Sequence, residues 1–250
     1  MMTKKRKLTL GIVLIVIILA AIYWMYFSKP SPLPTKNQLV TEINEVFTRA
    51  NAEKIQNTIQ LDDKHVFVPF ISKNNEYGLS YWVWDMYKWK VKKIDTTGEP
   101  MIWKVDKKDP STFHIIWNMH PNDRLRYMKF YLIRKRGYQI TAGNHHYTPR
   151  IQLEKKVSLE EKSYGVLKFP QKWAAIKEAN AKVMQARQPD KLFSSWMPDH
   201  SIYIGWIPYD ESNQETFPEQ SVNGNTFSDG DVETDFVHIL NESELEVAAE

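Results

Sequence analysis

The sequence predicts an α+β protein: an N-terminal transmembrane helix, then one domain of about six to eight mainly antiparallel strands covered by two helices. Three observations lead there. A basic N-terminus is followed by twenty uncharged residues; the middle of the chain breaks into short β-branched and aromatic runs separated by turn residues; and stretches with apolar residues at helical spacing flank that region. The 250 residues suit one domain beyond the uncharged run, and an apolar share of 42% supports a packed core. With 9 Trp, 12 Tyr and 11 Phe, that core should be rich in rings.

Residues 1–7 hold Lys4, Lys5, Arg6 and Lys7, and residues 8–27 read LTLGIVLIVIILAAIYWMYF. As a helix the run is about 30 Å long, the thickness of a bilayer core. The cations before it place the N-terminus in the cytoplasm by the positive-inside rule, and Tyr23, Trp24, Tyr26 and Phe27 mark the outer interface. A cleaved signal peptide fits less well, because the run is long and Ala20-Ala21 is followed by bulky apolar residues. Residues 28–35 contain SKPSPLP, which reads as a stiff polyproline stalk holding the domain up to about 20 Å from the bilayer.

Residues 36–208 form the predicted extracytoplasmic domain. Thr35 and Gln38 fit a capping box, and Leu39, Ile43, Val46, Phe47 and Ala50 predict a helix from Lys36 to about Ala50, with an extension to Ile59 allowed. Strands are predicted at His65 to Ile71, Leu79 to Trp84, Tyr87 to Ile94, Met101 to Val105, Phe113 to Asn118, Tyr127 to Arg134 and Arg150 to Val157. Turn signals separate them at Asn74-Asn75, Thr97-Gly98, Asp109-Pro110 and Pro121-Asn122. In Tyr87 to Lys92 the alternation predicts one apolar face and one lysine ladder. Pro170 opens a second helix with Trp173, Ile176, Val183 and Met184 on one face, ending before Pro189, and a last strand is predicted at Ser201 to Ile207. The helices are expected to cover one sheet face. Residues 209–250 carry 12 carboxylates and no Lys or Arg, so a disordered acidic tail is expected, with only Phe236 to Leu240 able to dock. All 33 basic residues therefore precede it, against 18 acidic ones.

Trp89, Val91 and Ile94 resemble one strand of the small helix-plus-curved-sheet cones of the nuclear-transport-factor and cystatin kind. Three positions do not identify a family, and such cones serve both enzymes and binding modules.

The lack of cysteine excludes disulfides, thiolate zinc sites and thiol catalysis. No phosphate loop, His-Glu-x-x-His pair or nucleophile elbow occurs. Asp199-His200-Ser201 has hydrolase residue types, but neighbours in an extended chain point apart, and a polar turn is the simpler reading. His114, His120, His145 and His146 have no spacing that enforces metal ligation, and Asp229-Gly230-Asp231 with Asp235 lacks the ordered ligands of a calcium loop. Carboxylate pairs such as Asp62-Asp63 and Glu160-Glu161 fit acid and base roles only at a separation that sequence does not give. No cofactor, metal or nucleic-acid partner is expected.

The positive signal is a basic face next to aromatics: Lys88, Lys90, Lys92 and Lys93, then Arg124, Arg126 and Lys129, then Arg134, Lys135 and Arg136. It fits an anionic envelope polymer or lipid headgroups, although lysines on an exposed sheet face also serve solubility and edge protection. The expected function is a single-pass, membrane-anchored binding or accessory protein of the cell envelope, engaging such an anion or a membrane-protein partner, with the tail as an internal screen. The alternative is an envelope hydrolase or transferase with its site on a concave sheet face.

Overall fold

The computed structural model describes residues 4–27, 29–187 and 201–246. Helix α1, Lys4–Phe27, runs unbroken through the stretch where the sequence predicts a span, and its described side chains from Gly11 to Ala20 all stand exposed. Among the described residues no helix is long and apolar enough to cross a membrane. The stalk does not stand free: Trp89 Nε1 donates to the Ser31 carbonyl at 2.8 Å, and Leu33 packs into the core beneath the next helix.

That helix, α2 (Lys36–Val46), starts where Thr35 N–H donates to Gln38 Oε1 at 2.9 Å, and it buries Leu39 and Ile43 completely. It stops well short of Ile59. A 3-10 turn at Thr48–Ala50 and a left-handed Asn51 (φ 44°) break it, and β1 (Ala52–Ile55) and β2 (Ile59–Asp62) follow. Then come β3 (His65–Ser72), β4 (Tyr77–Asp85), β5 (Lys88–Asp95), β6 (Met101–Lys104), β7 (Phe113–Asn118), β8 (Leu125–Arg134), β9 (Gly137–Thr141), β10 (Asn144–Thr148), β11 (Ile151–Ser158) and β12 (Tyr164–Lys168). After α3 (Gln171–Arg187) the chain forms β13 (Tyr203–Asp210), β14 (Thr226–Ser228), β15 (Thr234–Phe236) and β16 (His238–Ile239).

These strands build three stacked sheets rather than one curved meander, with β9 and β10 as a separate hairpin. The first sheet has the order β1-β3-β4-β5-β14, with β2 also on β3; the middle one is β12-β7-β6-β15; the third is β11-β8-β13-β16. All pairings are antiparallel except β13 with β16. Helix α2 covers the outer face of the first sheet with Trp82, Val91 and Ile94 beneath it. The first and middle sheets meet through Phe67, Leu79 and Tyr81 against Met101, Trp103 and Ile116. The middle and third meet through Ile115 and Trp117 against Phe130, Leu132, Ile204 and Trp206. Every residue of β7 is buried, as a strand packed on both faces requires. The helices do not share a sheet face: α3 enters the second seam through Trp173, while its Val183 is exposed, because the amphipathic stripe lasts only one turn past Trp173. The Met184 side chain and Pro189 lie outside the described residues.

The acidic tail corrects the expectation of disorder. Its three short strands cap β5, β6 and β13, one edge strand of each sheet, so a single segment covers edges that would otherwise present unpaired N–H and C=O groups. Val232, Val237 and Leu240 are buried, and Gly205 permits the approach, since a Cβ there would stand 2.2 Å from Leu240. A few well-spaced apolar residues suffice because backbone pairing and ion pairs supply the rest.

Strand direction fixes which ends coincide. At the start of β3, His65 stacks edge-on against Trp103 at 5.6 Å, and Trp103 pairs with His114 at the start of β7. At the other end Asn118 Nδ2 donates to the carbonyls of Phe70 (3.1 Å) and Gly78 (2.9 Å). Strand β8 turns back after β7, with Trp117 packed on Phe130, so Arg134 returns to the end where β3 begins. The stalk residues Lys29 to Leu33 line a groove with Gln60, Val66 and Trp89 at this same end.

Candidate functional site

The ten basic residues of the predicted face fall in four separate places. Lys88 and Lys90 flank the β4–β5 turn, and Lys90 Nζ pairs with Asp85 at 2.6 Å. Lys92 and Lys93 turn inward: a bulge in the β4–β5 pairing sets Tyr81 opposite Lys93 and Trp82 opposite Val91, so the lysine ladder is interrupted. Lys92 is buried among carboxylates, at 2.5 Å from Asp231, 2.9 Å from Asp229 and 3.6 Å from Asp85. Burial acts against its charge, but hydrogen bonds from Nζ to Asp231 and Asp229 outweigh it and hold the pKa above the ordinary lysine value. Lys93 Nζ donates to Thr234 Oγ1 at 2.6 Å, and its pKa is lowered by burial. These two cations are committed to the tail.

Arg124 and Arg126 sit at the opposite end, in an open groove of about 680 Å³ shared with Lys162, Glu160, Glu161 and Glu211. Arg126 Nε pairs with Glu160 at 2.9 Å, so this groove is mixed in charge. Lys129 lies on the outer face of the third sheet, 5.2 Å over the Tyr209 ring and 3.6 Å from Glu154. Arg134, Lys135 and Arg136 gather at the root of the β9–β10 hairpin with Arg150. Arg134 Nε donates to the Pro149 carbonyl at 3.1 Å, Arg136 Nε pairs with Glu246 at 2.6 Å, and Arg150 Nη1 lies 3.9 Å from the same carboxylate.

The hairpin itself is a feature that the sequence analysis did not predict, since no strand was assigned between Arg134 and Arg150. Ala142 (φ 49°) and Gly143 (φ 80°) form its two-residue turn, and both left-handed angles match the type I′ turn of tight hairpins. Register puts Tyr138 opposite Tyr147 and Ile140 opposite His145 on one face, with Gln139 opposite His146 and Thr141 opposite Asn144 on the other. Tyr138 hydroxyl and His145 Nδ1 are hydrogen-bonded. Tyr138, Ile140 and Tyr147 are 57–66% exposed. The alternation of Tyr138 with Ile140 and of His145 with Tyr147 about Ala142-Gly143 was the available signal.

The histidines do not converge. His145 and His146 face opposite sides of the hairpin, His114 is buried at the start of β7, and His120 lies past its other end beside Asn75. No group of three or more metal-ligating side chains occurs among the described residues. Asp229, Asp231 and Asp235 are instead partners of Lys92 and Lys104. Asp62 accepts from His65 Nδ1 at 2.8 Å, an acid–base pair in form. Asp199 and His200 lie outside the described residues.

One carboxyl is strongly perturbed. Glu99 stands near the buried Asp95 and is pushed up to about 7, chiefly by burial and then by the Asp95 charge. Below its ordinary value of 4.5 the group costs the fold nothing; stability falls as pH rises from 4.5 to about 7, where the unfolded chain has released the proton and the folded one still holds it, and the loss is complete above 7. Glu99→Gln is therefore expected to gain about 1 kcal/mol at pH 8, discounted for partial exposure, and nothing at pH 4. Denaturant midpoints at the two pH values measure this, and an equal gain at both would exclude the charge as its cause.

No protein-family model, curated protein or solved structure matches this chain. The functional reading therefore rests on the arrangement of these residues.

Proposed function

We propose that this is a single-pass, membrane-anchored extracytoplasmic binding or accessory module, held by α1 and engaging an anionic component of the envelope at the end of the sheet stack nearest the anchor. The observation that carries the reading is the uncharged run after Lys4 to Lys7, which forms one continuous helix with Ile12 to Leu19 exposed. Exposed aliphatic side chains in an unbroken row are costly in water and favourable in lipid. The seating of Ser31 on Trp89 supports it further, because it ties the domain closely to the end of that helix.

The test is extraction of membranes from cells making the full chain. Wild type is expected to stay with the membrane in alkaline carbonate, while Ile15→Asp with Ile18→Asp moves it to the soluble fraction, each charge opposing insertion by about 2.5–3.5 kcal/mol. Release of the wild-type chain would overturn the reading. So would a reporter fused after Glu250 that is active only in the cytosol.

A further inference from the structure

We propose that the β9–β10 hairpin is a membrane-interface arm whose Tyr138, Ile140, His145 and Tyr147 face lies at the headgroup level of an anionic bilayer, the same bilayer that holds α1. The proposal deepens the reading of α1 as an anchor and rests on it.

A lone two-stranded hairpin is at best marginally stable in water, and it needs an apolar surface to pack on. This hairpin has an apolar face, and its Tyr138, Ile140 and Tyr147 side chains stand largely exposed. Its composition suits an interface rather than a protein core: two tyrosines, each an apolar ring with a polar tip, flank one isoleucine, and the reverse side carries Gln139, His146, Thr141 and Asn144 for contact with water.

Position selects the occupant. The hairpin leaves β8 at Arg134 and rejoins the sheet at Ile151, at the end of the stack where the stalk is seated. From Phe27 to Ser31 the chain can span at most about 14 Å. Five residues of extended strand reach about 17 Å from the sheet. The reach of the arm from the sheet is therefore comparable to the chain length between the anchor and its seat on the domain. At the root stand Arg134, Lys135 and Arg136, of which Arg136 pairs with Glu246. Basic residues behind an aromatic face complement anionic headgroups.

The chain lacks cysteine, so single sites can be labelled cleanly. Leu14→Cys, Ile140→Cys and Glu161→Cys, each carrying a polarity-sensitive fluorophore, are to be reconstituted as full-length chains in phosphatidylcholine vesicles with and without phosphatidylglycerol, with nitroxide-bearing lipid as quencher. The label at 14 is expected to be quenched in both, and the label at 140 several-fold more than that at 161 when phosphatidylglycerol is present, with the excess shrinking in high salt. Quenching at 14 with no excess at 140 over 161 overturns the arm while leaving the anchor standing, and makes a protein the occupant of that face. No quenching at 14 overturns the anchor reading, and the arm with it.

Discussion

Trp206→Ala is expected to destabilise the domain by about 3–5 kcal/mol, among the largest single-residue losses in the protein. Trp206 is completely buried in the seam between the middle and third sheets, opposite Phe130 in the β8–β13 register and in the cluster that includes Trp117 and Trp173. Its Nε1 has no hydrogen-bond partner, so truncation removes packing alone and the emptied space has rigid strands on both sides to keep it open. Trp206→Phe should lose less than half as much, because most of the ring volume remains and an unpartnered N–H disappears. Denaturant titration of the full chain in detergent, read by fluorescence, measures both. A loss below about 1 kcal/mol for the alanine variant would mean that the two sheets close over the gap, contrary to a stack held by this seam.

Local features of this fold were legible, and its layering only faintly so. The capping pair Thr35 and Gln38, the alternation from Lys88 to Val91 in β5 and the turn residues around β3, β4 and β7 each express a local preference that the packed protein keeps. The layering is written in Phe113 to Asn118, where apolar residues run without alternation because both faces of β7 are covered, but a run that short reads equally as any buried strand. The tail's order depends on edges supplied by β5, β6 and β13, which lie more than a hundred residues before it or in another sheet, and no local pattern reports them. The basic face failed for a related reason: spacing places lysines on strands, whereas a single bulge opposite Trp82 decides that Lys92 and Lys93 point inward to Asp231 and Thr234.

Lys92→Met should cost about 2–3 kcal/mol and loosen the tail, the second largest effect. Breaking a fully buried ion pair costs about 3–5 kcal/mol; here the cation is hidden but its carboxylates reach solvent, Asp231 most of all, so part of the exposed charge is resolvated. Without the ammonium, Asp85, Asp229 and Asp231 repel one another across the β5–β14 edge, and the amides of Thr226 to Ser228 should lose exchange protection before those of β3 or β4. The pH dependence separates charge from shape. Lys92 contributes in full below 10.5 and loses its contribution only as pH rises through its raised value. Asp85, held below the ordinary 3.8 first by its hydrogen bond from Lys90, contributes above about pH 4 and loses this as pH falls through its depressed value. The deficit of the variant is thus expected to be constant from about pH 5 to 9 and to shrink at acid pH as Asp85 loses its charge through its depressed value, while methionine's volume replaces the lysine stem. A deficit that persists unchanged at pH 3 would assign the loss to packing, and the tail would then be held by its strand pairing and by Val232, Val237 and Leu240 alone.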